Sequence, residues 1–117
     1  MQSLSNIFIG IDVSKDELVT AYQLDGKWTK SKVANTPQKI SEWLGNLGVA
    51  GKYVVLEATG PYSERLICNL AAHGVPFSVV NPTQSRAMSK VLQKTNKNDD
   101  QDAQTLSLLG QKLELTA

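Results

Sequence analysis

Four carboxylates stand where the surrounding pattern has no use for charge. Asp12 interrupts the run Ile7-Phe8-Ile9-Gly10-Ile11-Asp12-Val13, and Glu57 closes the apolar run Tyr53-Val54-Val55-Leu56. Asp99 and Asp102 open a C-terminal stretch whose leucines recur at helical spacing. At about 100° per residue, Asp99, Asp102, Ala103, Leu106, Leu109, Gly110 and Leu113 fall in one stripe roughly 120° wide. Asp100, Gln101, Gln104 and Thr105 fall outside it, and Leu108 is an exception. Each acid has an ordinary alternative use. Asp12 could open a turn with Ser14, while Glu57 and the Asp cluster could each stabilise a helix N-terminus through its dipole, worth ~0.3–1 kcal/mol. The dipole accounts for acids that face solvent; it gives no reason for Asp99 and Asp102 to share the side of the leucines.

If the strands ending in Asp12 and Glu57 are parallel neighbours, both acids meet at one sheet edge, where ligands of open α/β sheets collect. Carboxylates gathered there repel one another unless cations lie between them. Oxygen donors without His or Cys suit Mg²⁺ or Mn²⁺. Two such ions ~3.5–4 Å apart polarise a phosphodiester, activate the attacking oxygen and stabilise the leaving one. That chemistry takes a nucleic acid as substrate.

The basic residues are placed to serve it. Eight of the twelve lie in two acid-free stretches, Lys27, Lys30, Lys32 and Lys39, then Arg86, Lys90, Lys94 and Lys97. In the second, Arg86, Lys90 and Lys94 are spaced i, i+4, i+8, one basic helix edge leading to Asp99. Lys27, Lys30, Lys32, Arg86, Lys90, Lys94 and Lys97 are therefore candidate phosphate contacts, against the plainer reading of solvated faces. Global charge does not decide, since twelve Lys and Arg against eleven Asp and Glu leave a net charge of +1.

Other chemistries find little footing. One Cys and one His make neither an internal disulfide nor a protein zinc site. His73 before Gly74 reads as a helix-end residue, Cys68 as core, and Trp28 and Trp43 as packing residues. Ser14, Thr59 and Ser63 have no His base beside them, which leaves serine-hydrolase chemistry unsupported. The opening MQSLSNIF has no basic start followed by a long apolar stretch, and no run approaches the ~18–20 apolar residues of a membrane span. A cytoplasmic protein without membrane contact is expected.

The elements that must position these residues follow from periodicity. A chain of 117 residues, 41% hydrophobic and 20% charged with eight Gly and four Pro, has the size of one ordinary domain, 1–117. Residues 7–13 alternate as a strand with Ile7, Ile9, Ile11 and Val13 on one face and Phe8, Gly10 and Asp12 on the other. Strands 18–24 and 28–33 are joined by Asp25-Gly26, a two-residue hairpin signal. Thr36-Pro37 opens a helix whose Ile40, Trp43, Leu44 and Leu47 share one side before Gly48. Strand 53–57 follows, then a helix begun at Gly60-Pro61 with Tyr62, Leu66, Ile67, Leu70 and Ala71 on its apolar face, then strand 77–80. Asn81-Pro82 with Gln84 resembles a capping box for another helix, and the last helix spans about 99–113. The order β-β-β-α-β-α-β-α-α predicts an α/β fold, three antiparallel strands and then two parallel ones joined by right-handed helical crossovers.

The ordered set Gly10-Ile11-Asp12-Val13-Ser14-Lys15, Glu57-Ala58-Thr59-Gly60, Asn81-Pro82 and Lys97-Asn98-Asp99-Asp100-Gln101-Asp102-Ala103 resembles the DEDD transposases of bacterial insertion sequences, the family related to the Piv DNA invertase. The likeness covers almost the whole chain. It implies a RuvC-like, ribonuclease-H-like mixed five-stranded sheet flanked by helices. It also implies Asp12, Glu57, Asp99 and Asp102 as metal-binding catalytic acids that cut and exchange DNA strands with Mg²⁺ or Mn²⁺. Reading the family's Lys-Thr-Asp onto Lys94-Thr95-Asn96 would set Asn96 where an acid belongs, whereas the Lys97-Asn98-Asp99 register keeps both acids. Members of the family look longer, with a second domain bearing a nucleophilic serine, and many use a structured guide RNA. The resemblance thus implies a catalytic domain of a homo-oligomeric transposase, with DNA and a guide RNA as partners.

Two other classes compete. An actin-like ATPase or sugar-kinase lobe also starts with a β-hairpin sheet and a Gly-x-Asp strand, but wants Gly after the Asp so that backbone amides approach phosphate; Val13-Ser14-Lys15 stands there instead. ATP-dependent thermal stabilisation would mark that class, Mn²⁺-dependent stabilisation the transposase. A non-catalytic nucleic-acid-binding module would use the lysines and keep the acids as helix caps.

Overall fold

The computed structural model describes residues 7–48, 50–57, 60–81 and 101–113, and the side chains of all of these except 101, 102, 112 and 113. The chain forms a five-stranded sheet from β1 (Ile7–Val13), β2 (Glu17–Leu24), β3 (Lys27–Ala34), β4 (Lys52–Glu57) and β5 (Phe77–Val80). Spatial order is β3-β2-β1-β4-β5. The β1/β2 and β2/β3 pairs are antiparallel and the β1/β4 and β4/β5 pairs parallel, the mixed topology expected from the sequence. Asp25 and Gly26 both adopt positive φ, 54° and 78°, the geometry that a two-residue hairpin matched to strand twist requires.

Helices α1 (Pro37–Leu47) and α2 (Glu64–Ala72) pack on one face, and α3 (Gln101–Leu113) on the other. Thr36 caps α1 by accepting a hydrogen bond from the Lys39 N–H at 3.3 Å, with Pro37 in the first turn. The first face buries Ile9, Ile11, Leu18, Ile40, Leu44, Val54, Leu56, Leu66 and Leu70. The second buries Tyr53, Val55, Val80, Leu106 and Leu109 with Phe8 against them. Tyr53 is satisfied within that core, its hydroxyl 2.6 Å from Ser78 Oγ and its ring 5.5 Å from that of Phe8. Alternation along β1 and β4 thus splits one sheet between two cores.

Several local expectations need correction. Gly60–Ser63 is a 3₁₀ turn and α2 starts at Glu64, with the Ser63 hydroxyl donating back to the Gly60 carbonyl at 3.0 Å and so competing for an acceptor that a full helical turn would use. Tyr62 is consequently exposed, and Cys68 and Ala71 also face solvent; only Leu66 and Leu70 are completely buried, with Ile67 beside them. His73 ends α2 and lies 3.1 Å from Ser41 Oγ, linking α2 to α1. On α3, Gln104 and Thr105, outside the apolar stripe, are only 4% and 2% exposed. A hydropathy stripe marks one face of a helix, whereas this helix is enclosed on several. The helix expected from Asn81-Pro82, and the polar stretch after it, lie outside the described residues.

Candidate metal centre and nucleic-acid face

Register brings the first two acids together. The β1/β4 ladder runs from Ile7 opposite Lys52 to Ile11 opposite Leu56, so one step further Asp12 stands beside Glu57. Adjacent strands lie about 4.8 Å apart. Two residues before the acids, Gly10 and Val55 both face α3, Gly10 against Ala103 and Ser107 and Val55 against Gly110. By the period of 2, Asp12 and Glu57 share that face. Both are half-buried at the C-terminal edge of the sheet.

The path of α3 points to the same edge. Phe8 meets Gly110, and Gly10 meets Ala103 and Ser107, so α3 descends as β1 rises. The next residue on this face of β1, Asp12, is therefore carried toward the first turn of α3, which contains Asp102. The approach depends on two glycines. A Cβ on Gly10 would lie 1.9 Å from the Ala103 carbonyl oxygen and 2.5 Å from the Ser107 backbone nitrogen; one on Gly110 would lie 2.7 Å from the Phe8 ring. Ser107, fully buried, donates a hydrogen bond from its hydroxyl to the Phe8 carbonyl and fixes the helix along the strand. Asp99 lies outside the described residues, as does the side chain of Asp102. Among the described residues no three His, Cys, Asp or Glu side chains converge.

The same ladder arithmetic sorts the lysines. Asp12 pairs with Val19, and Val19 with Lys32, so Lys32, Val19, Asp12 and Glu57 form one transverse row across the acid-bearing face. Lys32 is two strands from Asp12, about 10 Å between Cα atoms. Lys30 faces the same way opposite Ala21, whereas Lys27, of opposite parity, points to the other face. All three are exposed. Arg86, Lys90, Lys94 and Lys97 lie outside the described residues. Trp43 packs against the first core and Trp28 is half-buried on β3.

Sequence reasoning gave no role to Gly10, Ser107 and Gly110, nor to Asn35. A glycine inside a buried strand was a usable signal, since it marks close approach of another backbone. Ser107 and Asn35 had none, because a polar residue's burial depends on partners distant in sequence.

The mixed sheet, with its acids at the ends of β1 and β4, has the fold of RuvC-like proteins. T. thermophilus RuvC, solved in complex with a Holliday junction substrate, matches it with a TM-score of 0.64 and 13% identity over 92% of this chain and 96% of that one. Residues 9–116 match the family model of IS110-type DEDD transposases, and the chain belongs to that transposase family. Among its relatives, the pilin gene-inverting proteins of Moraxella bovis and Moraxella lacunata are each 30% identical over 114 residues, 93% of this chain. The chain spans 35% of the length of these relatives.

Proposed function

We propose that residues 1–117 form the metal-dependent catalytic domain of a DNA transposase, cleaving and exchanging strands during movement of an insertion sequence, in a protein that extends further as its relatives do. Asp12, Glu57, Asp99 and Asp102 are the catalytic acids and the ligands of Mg²⁺ or Mn²⁺. The observation that carries this reading is the juxtaposition of Asp12 and Glu57 on adjacent parallel strands, on the face to which α3 descends. The donor set fits a hard divalent cation: both described acids offer oxygen, and neighbouring carboxylates of like charge are best accommodated by sharing one. When bound, paired divalent ions supply Lewis acidity to the phosphodiester.

The chain's own groups do the rest. Asp12 and Glu57 would hold the cations at the sheet edge, with Asp99 and Asp102 as the remaining donors. Lys32, in the row of Asp12, and Lys30, on the same face, supply positive charge for phosphates of the bound DNA. Arg86, Lys90, Lys94 and Lys97 complete the basic contacts; Lys27 points to the opposite face of β3. A structured guide RNA and further copies of the chain act as partners in a homo-oligomeric assembly.

Mn²⁺ titration of the intact protein tests the site. Asp12→Asn and Glu57→Gln are expected to abolish Mn²⁺ binding and Mn²⁺-dependent cleavage while leaving the melting temperature unchanged or slightly raised, since repulsion is relieved. Asp99→Ala and Asp102→Ala should behave alike. If instead either costs ~0.5–2 kcal/mol of stability with no effect on metal, it is a helix cap and the metal reading fails.

A further inference from the structure

The two acids sit at the C-terminal end of the seam between β1 and β4. Each acid is paired outward, Asp12 with Val19 on β2 and Glu57 with Val80 on β5, one step past the Ile11–Leu56 pair that β1 and β4 share. Just past the acids β1 turns back into β2, and the chain after β4 reaches the 3₁₀ turn at Gly60. Mutual repulsion of neighbouring carboxylates works to force that edge apart. Hydrogen bonds between the two turns that follow add to the sheet in holding Asp12 and Glu57 side by side.

Asn35 joins these two turns. Its side chain, 1% exposed, donates one amide hydrogen to the Ser14 carbonyl at 2.8 Å and the other to the Tyr62 carbonyl at 3.0 Å. Ser14 lies just beyond Asp12, and Tyr62 lies in the turn after Glu57. The backbone repeats the tie: the Asn35 N–H donates to the Asp16 carbonyl at 3.0 Å, and its own carbonyl accepts from Arg65 Nη1 at 2.9 Å. Asn35 Oδ1 is buried with no partner among the described residues. Both amide hydrogens of Asn35 are used by the two turns. No apolar residue supplies them.

We propose that Asn35 is a positioning residue that staples the β1/β4 seam and holds Asp12 and Glu57 at a separation suited to sharing divalent cations; the inference rests on the metal reading given above. It touches neither metal nor DNA and acts through the two turns.

The test compares Asn35→Leu, nearly isosteric but without donors, with Leu70→Ala, which removes a fully buried side chain of α2 remote from the acids. Mn²⁺ affinity and amide hydrogen exchange are measured on the intact protein below the melting temperature of each variant. Asn35→Leu is expected to weaken Mn²⁺ binding about 10–100-fold, the scale of outer-shell substitutions at metal sites, and to speed exchange at both 14–17 and 60–63. Leu70→Ala should leave affinity within about twofold even where it lowers stability as much, because it disturbs packing and no ligand. Should Asn35→Leu not fold, Arg65→Met, which removes only the guanidinium contact of an exposed residue, is expected to shift both readouts less but in the same direction. Wild-type Mn²⁺ affinity in folded Asn35→Leu, or in Arg65→Met when that is the variant available, overturns the staple while leaving the metal site standing. A wild-type protein that takes up no Mn²⁺ overturns the metal reading and the positioning role together.

Discussion

Replacing Gly10 by alanine gives the sharpest mechanical test of how α3 reaches the acids. The added Cβ would sit 1.9 Å from the Ala103 carbonyl oxygen, about 1.5 Å inside the 3.4 Å at which ordinary contact begins. Both nearest obstacles are backbone atoms, the Ala103 oxygen and the Ser107 nitrogen, so no rotamer change relieves them and the helix must retreat from the sheet. Overpacking of this kind costs ~1–3 kcal/mol. Retreat also endangers the buried Ser107–Phe8 hydrogen bond, worth about 1 kcal/mol. The expected loss is ~2–4 kcal/mol, a melting temperature lower by roughly 10 °C for a domain of this size. Mn²⁺ affinity should fall with it, as the first turn of α3 moves away from Asp12. Gly110→Ala provides the contrast: its Cβ meets the Phe8 ring at 2.7 Å and Val55 Cγ2 at 2.8 Å, side-chain atoms that can be trimmed. Phe8→Leu should recover part of the stability lost in Gly110→Ala, whereas Ala103→Gly should recover none of that lost in Gly10→Ala. Thermal melts by circular dichroism and Mn²⁺ titration read both effects. A Gly10→Ala protein that melts within 2 °C of wild type with unchanged affinity would refute the docking of α3 on β1.

Two further outcomes follow from the same geometry. Lys32→Ala is expected to weaken DNA binding and lower the salt dependence by about one counterion, while Lys27→Ala, on the opposite face, leaves the slope near wild type; equal effects would show that the acid-bearing face does not carry the phosphates. Gly45→Ala, exposed on α1 with nothing within 4 Å of the added Cβ, should raise stability by ~0.5–1 kcal/mol through helix propensity alone, measurable by urea unfolding.

Much of the fold was legible because it is written locally. Alternation in 7–13, the Asp25-Gly26 turn and the Thr36-Pro37 start each arise from neighbours within a few residues, where sterics and hydropathy act without knowledge of the rest of the chain. The same locality marked Asp12 and Glu57, since a charge at the end of an apolar strand is visible without any partner. It failed where packing overrides pattern: Tyr62 and Ala71 face solvent although their positions suit a buried stripe, and Gln104 and Thr105 are buried although theirs do not.

Parity alone separates Lys30 and Lys32 from Lys27, because successive side chains of a strand alternate. Which set shares a face with the acids depended on the β2/β3 and β1/β2 registers, fixed between segments rather than within them. Tertiary structure also decided that Gly10 admits a helix backbone and that one buried amide, Asn35, ties the turns beyond the two acids. A sequence determines on its own what each segment prefers. Distances between segments are set only when the whole chain satisfies its buried hydrogen bonds and excluded volumes at once.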